Sequence, residues 1–206
     1  MSMLNAGPQQ VLLVEGDDDD SVIWHLNDKS GQPQSFEIVN KRSVEQVLGS
    51  VATEAVAPGR TALGIVVDAN SNIAGRWQRI GDQLGDAKIR LPRQPDPLGT
   101  VVPPSQPGKP KIGVWLMPDN VNPGELENFV SDLIPAGDGV WPQAQNYVAQ
   151  VPAADRPSKP AKAEVHAWLA VRAEGDRMGT SIGAGTFDLQ RPAAQAFLDW
   201  LRRVFG

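Results

Sequence analysis

The chain has 206 residues, 41% of them hydrophobic, and a net charge of −5. That length suffices for one large domain with its own core, and the acidic balance excludes a protein that grips nucleic acid through a broad basic surface. The absence of cysteine excludes disulfides, thiolate zinc sites and cysteine nucleophiles, and two histidines, His25 and His166, are too few for a histidine-rich metal site.

No window approaches the roughly 20 apolar residues of a membrane span. The opening MSMLNAGPQQ has no basic stretch followed by an apolar one, so a cytoplasmic protein without a signal peptide or membrane attachment is expected. Residues 10–14 (QVLLV) form a continuous apolar run ending at Glu15-Gly16, the pattern of a strand buried on both faces. Asp17 to Asp20 follow, acids suited to the start of a helix, and Val22, Ile23 and Leu26 then recur at helical spacing. SFEIV at 35–39 reads as a second strand. Ser43 caps a second helix with Val44, Val47, Leu48 and Val51 on its apolar face, and Pro58-Gly59 stops it. ALGIVV at 62–67 is a third buried strand ending at Asp68, and Ile73, Trp77, Ile80 and Leu84 mark a third helix.

Residues 91–110 are rich in proline and glycine and predict an irregular loop with one short hairpin near 99–102. KIGVWLM at 111–117 is a fourth strand ending at Pro118-Asp119-Asn120. A helix over 124–134 turns Leu126, Phe129, Val130 and Leu133 inward. After a proline-rich break at 152–160 come a helix near Lys162 to Ala173, an extended piece at 186–189 and a last helix with Ala193, Phe197, Trp200, Leu201 and Val204 inward. Strand and helix alternate, which predicts an α/β fold with a mostly parallel sheet of about four strands flanked by helices. The expected division is an α/β core over 1–135 and a helical elaboration over 136–206 packed on that same core.

In such sheets ligands bind beyond the carboxyl ends of the strands, and both Glu15 and Asp68 stand at such ends. Asp68 and Asn70, two apart on an extended chain, would face one side and hold one cation together; the alternative is a polar turn capping the next helix from about Asn72. Asp119 ends the fourth strand and Glu127 sits beside the inward Leu126, near the crevice. Of the run Asp17 to Asp20, Asp19 and Asp20 are the least expected to take part. With oxygen ligands only, the implied cation is Mg²⁺ or Mn²⁺. Lys162 and Arg76 are candidates to steady a phosphate. There is no Walker A pattern and no Gly-x-Gly-x-x-Gly. A receiver-like phosphoacceptor with Asp68 as acceptor would need a lysine closing a later strand, and none is found.

LLVEGDDDD and LGIVVDAN resemble the Glu-Gly and Asp-x-Asp motifs of the Toprim domain of primases, topoisomerases and the overcoming-lysogenization-defect nucleases. With IGVWLMPDNVNPGELENF, KAEVHAWLA and the terminal FLDWL they are more closely similar to a small bacterial family of unknown function, DUF3226, over most of the chain. The resemblance implies a Toprim-like sheet and a divalent-metal site on Glu15, Asp68, Asn70 and Glu127, with Asp119 added from its strand-end position. Glu15 and Asp68 would be the catalytic pair of a metal-dependent nuclease. Asn70 departs from the family's second aspartate and brings no charge. The resemblance also implies a separate ATPase subunit as partner; the alternative is a degenerate module that only binds a protein partner.

Overall fold

The computed structural model describes residues 9–172 and 177–206. Residues 1–8, which hold most of the segment read above for a leader, lie outside the described residues, as does Ala173 at the end of one expected helix.

One sheet of five strands forms the centre, in the order β2-β1-β3-β5-β4. The strands are β1 (Gln10–Val14), β2 (Glu37–Asn40), β3 (Ala62–Asp68), β4 (Thr100–Val102) and β5 (Lys111–Met117). β1, β2, β3 and β5 run parallel, with Leu12 beside both Ile38 and Gly64, and Gly64 beside Gly113. The short β4 returns antiparallel on β5, Val101 opposite Gly113. It lies where a short hairpin is expected near 99–102 and makes the sheet one strand wider than the four expected, because pairing with β5 draws it in.

The apolar runs follow from burial on both sides. Leu12, Val14, Val66, Trp115 and Met117 face one core cluster, while Val11, Leu13, Leu63, Ile65, Val67, Ile112, Val114 and Leu116 face another. The second cluster is closed by α2 (Val44–Ala55) and α3 (Ile73–Asp86). α1 (Asp17–Lys29) and α8 (Pro192–Phe205) close the first, together with α4 (Leu126–Ser131), α5 (Trp141–Gln150), α6 (Pro160–Leu169) and α7 (Met178–Gly183). Ser43 caps α2 by accepting from the Gln46 amide at 3.3 Å.

The neighbouring glycines Gly64 and Gly113 let α8 lie against the sheet. A Cβ on Gly64 would meet Leu12 at 2.6 Å and Phe205 at 2.8 Å; one on Gly113 would meet Val204 at 2.3 Å. Phe197, Trp200, Leu201 and Val204 fill that contact. At about 1.5–3 kcal/mol per fully buried large side chain, this one face is worth roughly 10 kcal/mol before entropy is subtracted.

Some boundaries differ from expectation. α4 is shorter than 124–134, since Pro135 disfavours helical backbone at Ile134, yet Leu133 and Ile134 still point inward. α5 and α7 are not foreseen, because WPQAQNYVAQ buries only Ala144 and Val148, and MGTSIG is short and glycine-bearing. Residues 186–189 form no strand; an amide of Asp188 donating to the Leu133 carbonyl at 2.8 Å ties them down. Among the described residues no helix is long and apolar enough to cross a membrane.

Candidate functional site

The strand order reverses between β1 and β3. From β1 the chain crosses through α1 to β2 on one side; from β2 it crosses through α2 to β3 on the other. The loops leaving β1 and β3 therefore part toward opposite faces and open a crevice beyond the two carboxyl ends. Glu15 follows β1 and Asp68 ends β3, so they flank that crevice.

Hydrogen bonds stitch four elements together here, the end of β1, β3, α3 and α4. Glu15 Oε1 accepts from the Asp68 backbone N–H at 2.8 Å. Asp68 Oδ1 accepts from the Leu126 backbone N–H at the start of α4, at 3.0 Å. Arg76, in the first turns of α3, donates its Nε to the Asp68 carbonyl at 3.0 Å. Glu127, the next residue on α4, is only 5% exposed, and its carboxylate meets Lys162 Nζ at 2.8 Å. Glu125 pairs with Lys159 at 2.5 Å.

The structure also brings in an acid that the sequence reading ranked last. Asp19, in the first turn of α1, is 8% exposed, and its Oδ1 is buried without a hydrogen-bond partner. A signal for it existed. Asp19 stands three, four and seven residues before Val22, Ile23 and Leu26, on the buried face of α1.

The electrostatics of the group are those of carboxylates short of counter-charge. Burial, then repulsion from Glu15 and Glu127, lifts the Asp68 carboxyl to about 7, against the Leu126 hydrogen bond that favours the anion. Burial, then the charges of Asp68 and Glu15, hold Asp19 well above the usual carboxylate range. Burial also raises Glu15, although the Asp68 amide, Arg76 and Lys159 pull it back.

Two predicted positions are held by other interactions. The chain leaves the extended conformation at Asn70, whose φ is +52°, so the two-residue alternation that was to set its side chain beside Asp68 does not apply. Its backbone instead pairs with Gly124, N–H to O distances 2.7 and 2.8 Å, and it lines a groove with Asn72, Arg76 and Arg79. Asn72 caps α3 by accepting from the Gly75 amide at 2.8 Å. Asp119 spends both oxygens on its own turn: Oδ1 accepts from the Val121 and Asn122 amides at 3.0 and 2.7 Å, and Oδ2 from the Asn122 side chain at 2.6 Å. Burial would raise its carboxyl, but these bonds outweigh it and hold it below the usual range.

Glu15, Asp19, Asp68 and Glu127 present hard oxygen donors only, and the orphaned Asp19 Oδ1 is an acceptor in want of a positive charge; both suit a cation such as Mg²⁺ or Mn²⁺. Among the described residues, however, no three acidic or histidine side chains already stand around a point that would hold an ion. A groove of about 820 Å³ lies elsewhere, between α3 and the loop 89–97, and none of these acids lines it.

A family model described as Protein of unknown function (DUF3226) matches residues 9–206. The chain belongs to the DUF3226 family. The match takes in β1, β3 and β5, α4 and the C-terminal helices of this DUF3226 chain, and so spans both edges of the crevice. No curated protein and no solved structure matches it.

Proposed function

We propose that this DUF3226 chain is a Toprim-like divalent-cation protein, a metal-dependent nuclease or phosphotransfer subunit that works beside a separate ATPase. Glu15, Asp19 and Asp68 would hold Mg²⁺ or Mn²⁺, with Glu127 as a further ligand. The supporting observation is the buried, unpartnered Asp19 Oδ1, which feels the charges of Glu15 and of an Asp68 that burial and repulsion lift to about 7. A mostly parallel sheet with these acids at its strand-order reversal supports the Toprim-like reading.

A cation bound there would polarise a phosphoryl oxygen and activate water. Glu15 is fixed through Oε1 by the Asp68 amide, which leaves Oε2 to take up a proton from an attacking group. The Leu126 amide holds one oxygen of Asp68 and so orients the other. Asn70 and Asp119 have no part in this set. The net charge of −5 provides no basic surface, so contact with nucleic acid is local or supplied by the partner.

The experiment is Mn²⁺ titration by calorimetry on wild type and Asp68→Ala, together with cleavage of labelled single- and double-stranded DNA in Mn²⁺. Wild type takes up the ion and cuts; the variant does neither. Equal cleavage by both proteins refutes the assignment.

A second reading is a degenerate module that binds a protein partner without metal. The lack of three converging ligands among the described residues favours it. It expects no Mn²⁺ uptake, yet stable co-purification with an ATPase.

A further inference from the structure

α6 carries its charges at the wrong end. The amino end of a helix is the positive pole of its dipole, where acids are stabilising and a lysine is unfavourable. The first turn of α6 contains no acid; instead Lys159 stands at the N-cap and Lys162 two residues after Pro160. Lys159 makes no capping bond through its side chain. Both ammonium groups reach to the acid cluster instead, Lys162 to Glu127 at 2.8 Å and Lys159 to Glu125 at 2.5 Å. The charge of Lys159 is also felt by Glu15 and Asp68.

The helix itself is anchored. Val165, Trp168 and Leu169 are fully buried, and Trp168 Nε1 donates to Asp138 at 2.9 Å. The lysine side chains are not anchored in this way: they are 49% and 52% exposed and reach the acids from the solvent side. A four-carbon stem with such exposure can change partner by rotating, without moving the backbone. Glu127 is in the opposite position, a nearly buried carboxylate whose ammonium partner is Lys162.

We propose that Lys159 and Lys162 are a built-in counter-charge for the acid cluster, and that a divalent cation gains Glu127 only by displacing the Lys162 ammonium. The lysines keep the site closed to metal until an ion, or an ion together with an anionic substrate that attracts the released ammonium groups, competes them away. This rests on the cation reading given above.

The test uses the full chain and Mn²⁺ alone, followed by calorimetry. Lys159→Gln/Lys162→Gln removes both charges and leaves a polar side chain one methylene shorter. Its Mn²⁺ affinity rises about two- to fivefold above wild type for each pair lost, the scale of a half-exposed ion pair. Lys162→Arg, which keeps the charge, stays near wild type. Lys159→Gln alone shifts affinity in the same direction should the double variant not fold. Uptake by wild type with no gain in the glutamine variants overturns the latch and leaves the cation reading standing. No uptake by any of the proteins removes both, whereas uptake only by the glutamine variants supports both and shows how tightly the lysines close the site.

Discussion

Asp68 gives the sharpest prediction because its titration converts directly into stability. In the folded protein burial and the charges of Glu15 and Glu127 place it at about 7, against an ordinary value of 3.8. An acid raised in this way is protonated in the folded chain while the unfolded chain has already ionised. Stability is therefore full below the unfolded value and is lost as pH climbs toward the folded one. A gap of roughly three pH units at ~1.4 kcal/mol each makes the whole loss ~4 kcal/mol, of which ~3 kcal/mol falls between about pH 5 and about pH 8.5. Asp68→Asn retains an oxygen for the Leu126 amide and removes the titration. The assay is urea unfolding followed by tryptophan fluorescence, in EDTA, for wild type and variant at those two pH values. Comparing the two proteins cancels the titrating groups that do not feel the Asp68 charge; relaxation of Asp19 in the variant acts on top of the Asp68 change. Asp68→Asn gains ~3 kcal/mol on wild type between the lower and the higher pH. A difference independent of pH, or one of opposite sign, refutes the claim that burial and neighbouring carboxylates hold this group in its protonated form.

Two further predictions concern the frame around the site. Asp138 accepts from the Val140 and Trp141 amides at 2.9 and 2.8 Å, from Trp168 Nε1 at 2.9 Å and from Arg172 at 2.6 Å, so Asp138→Ala strips four donors at once and should cost about 3 kcal/mol or more in urea unfolding; a loss below about 1 kcal/mol would mean that water replaces it freely. Gly179 packs α7 on α1 so closely that a Cβ would lie 2.1 Å from Ser21 Oγ and 2.7 Å from the Ser21 backbone carbon, hence Gly179→Ala lowers stability by about 1–3 kcal/mol, whereas Gly49→Ala, with open space around it, leaves the melting temperature unchanged or higher.

The core strands could be read from the chain because burial on both faces leaves an unbroken apolar run, as in QVLLV, ALGIVV and KIGVWLM. β4 was foreseen only as part of a short hairpin near 99–102, and its place in the sheet comes from pairing with β5. α5 and α7 were hidden for a related reason: their contacts, not their periodicity, make them helices. Within the site, Glu15 and Asp68 were legible as acids at strand ends. Asp19 was masked by its three aspartate neighbours, although its spacing to Val22, Ile23 and Leu26 pointed inward.

The sequence by itself determined the alternation of strands and helices and hence the α/β class, since hydrophobic periodicity is a local property. Only the tertiary structure decided which charges meet. The reversal of strand order brings Glu15 to the Asp68 amide, α4 delivers Glu127, and α6 carries Lys159 and Lys162 across to them. Electrostatic interaction depends on distance in space and on burial, neither of which can be counted along the chain. The same physics separates Asp119 from the group: a strand-end acid like the others, it is satisfied by the amides of its own turn.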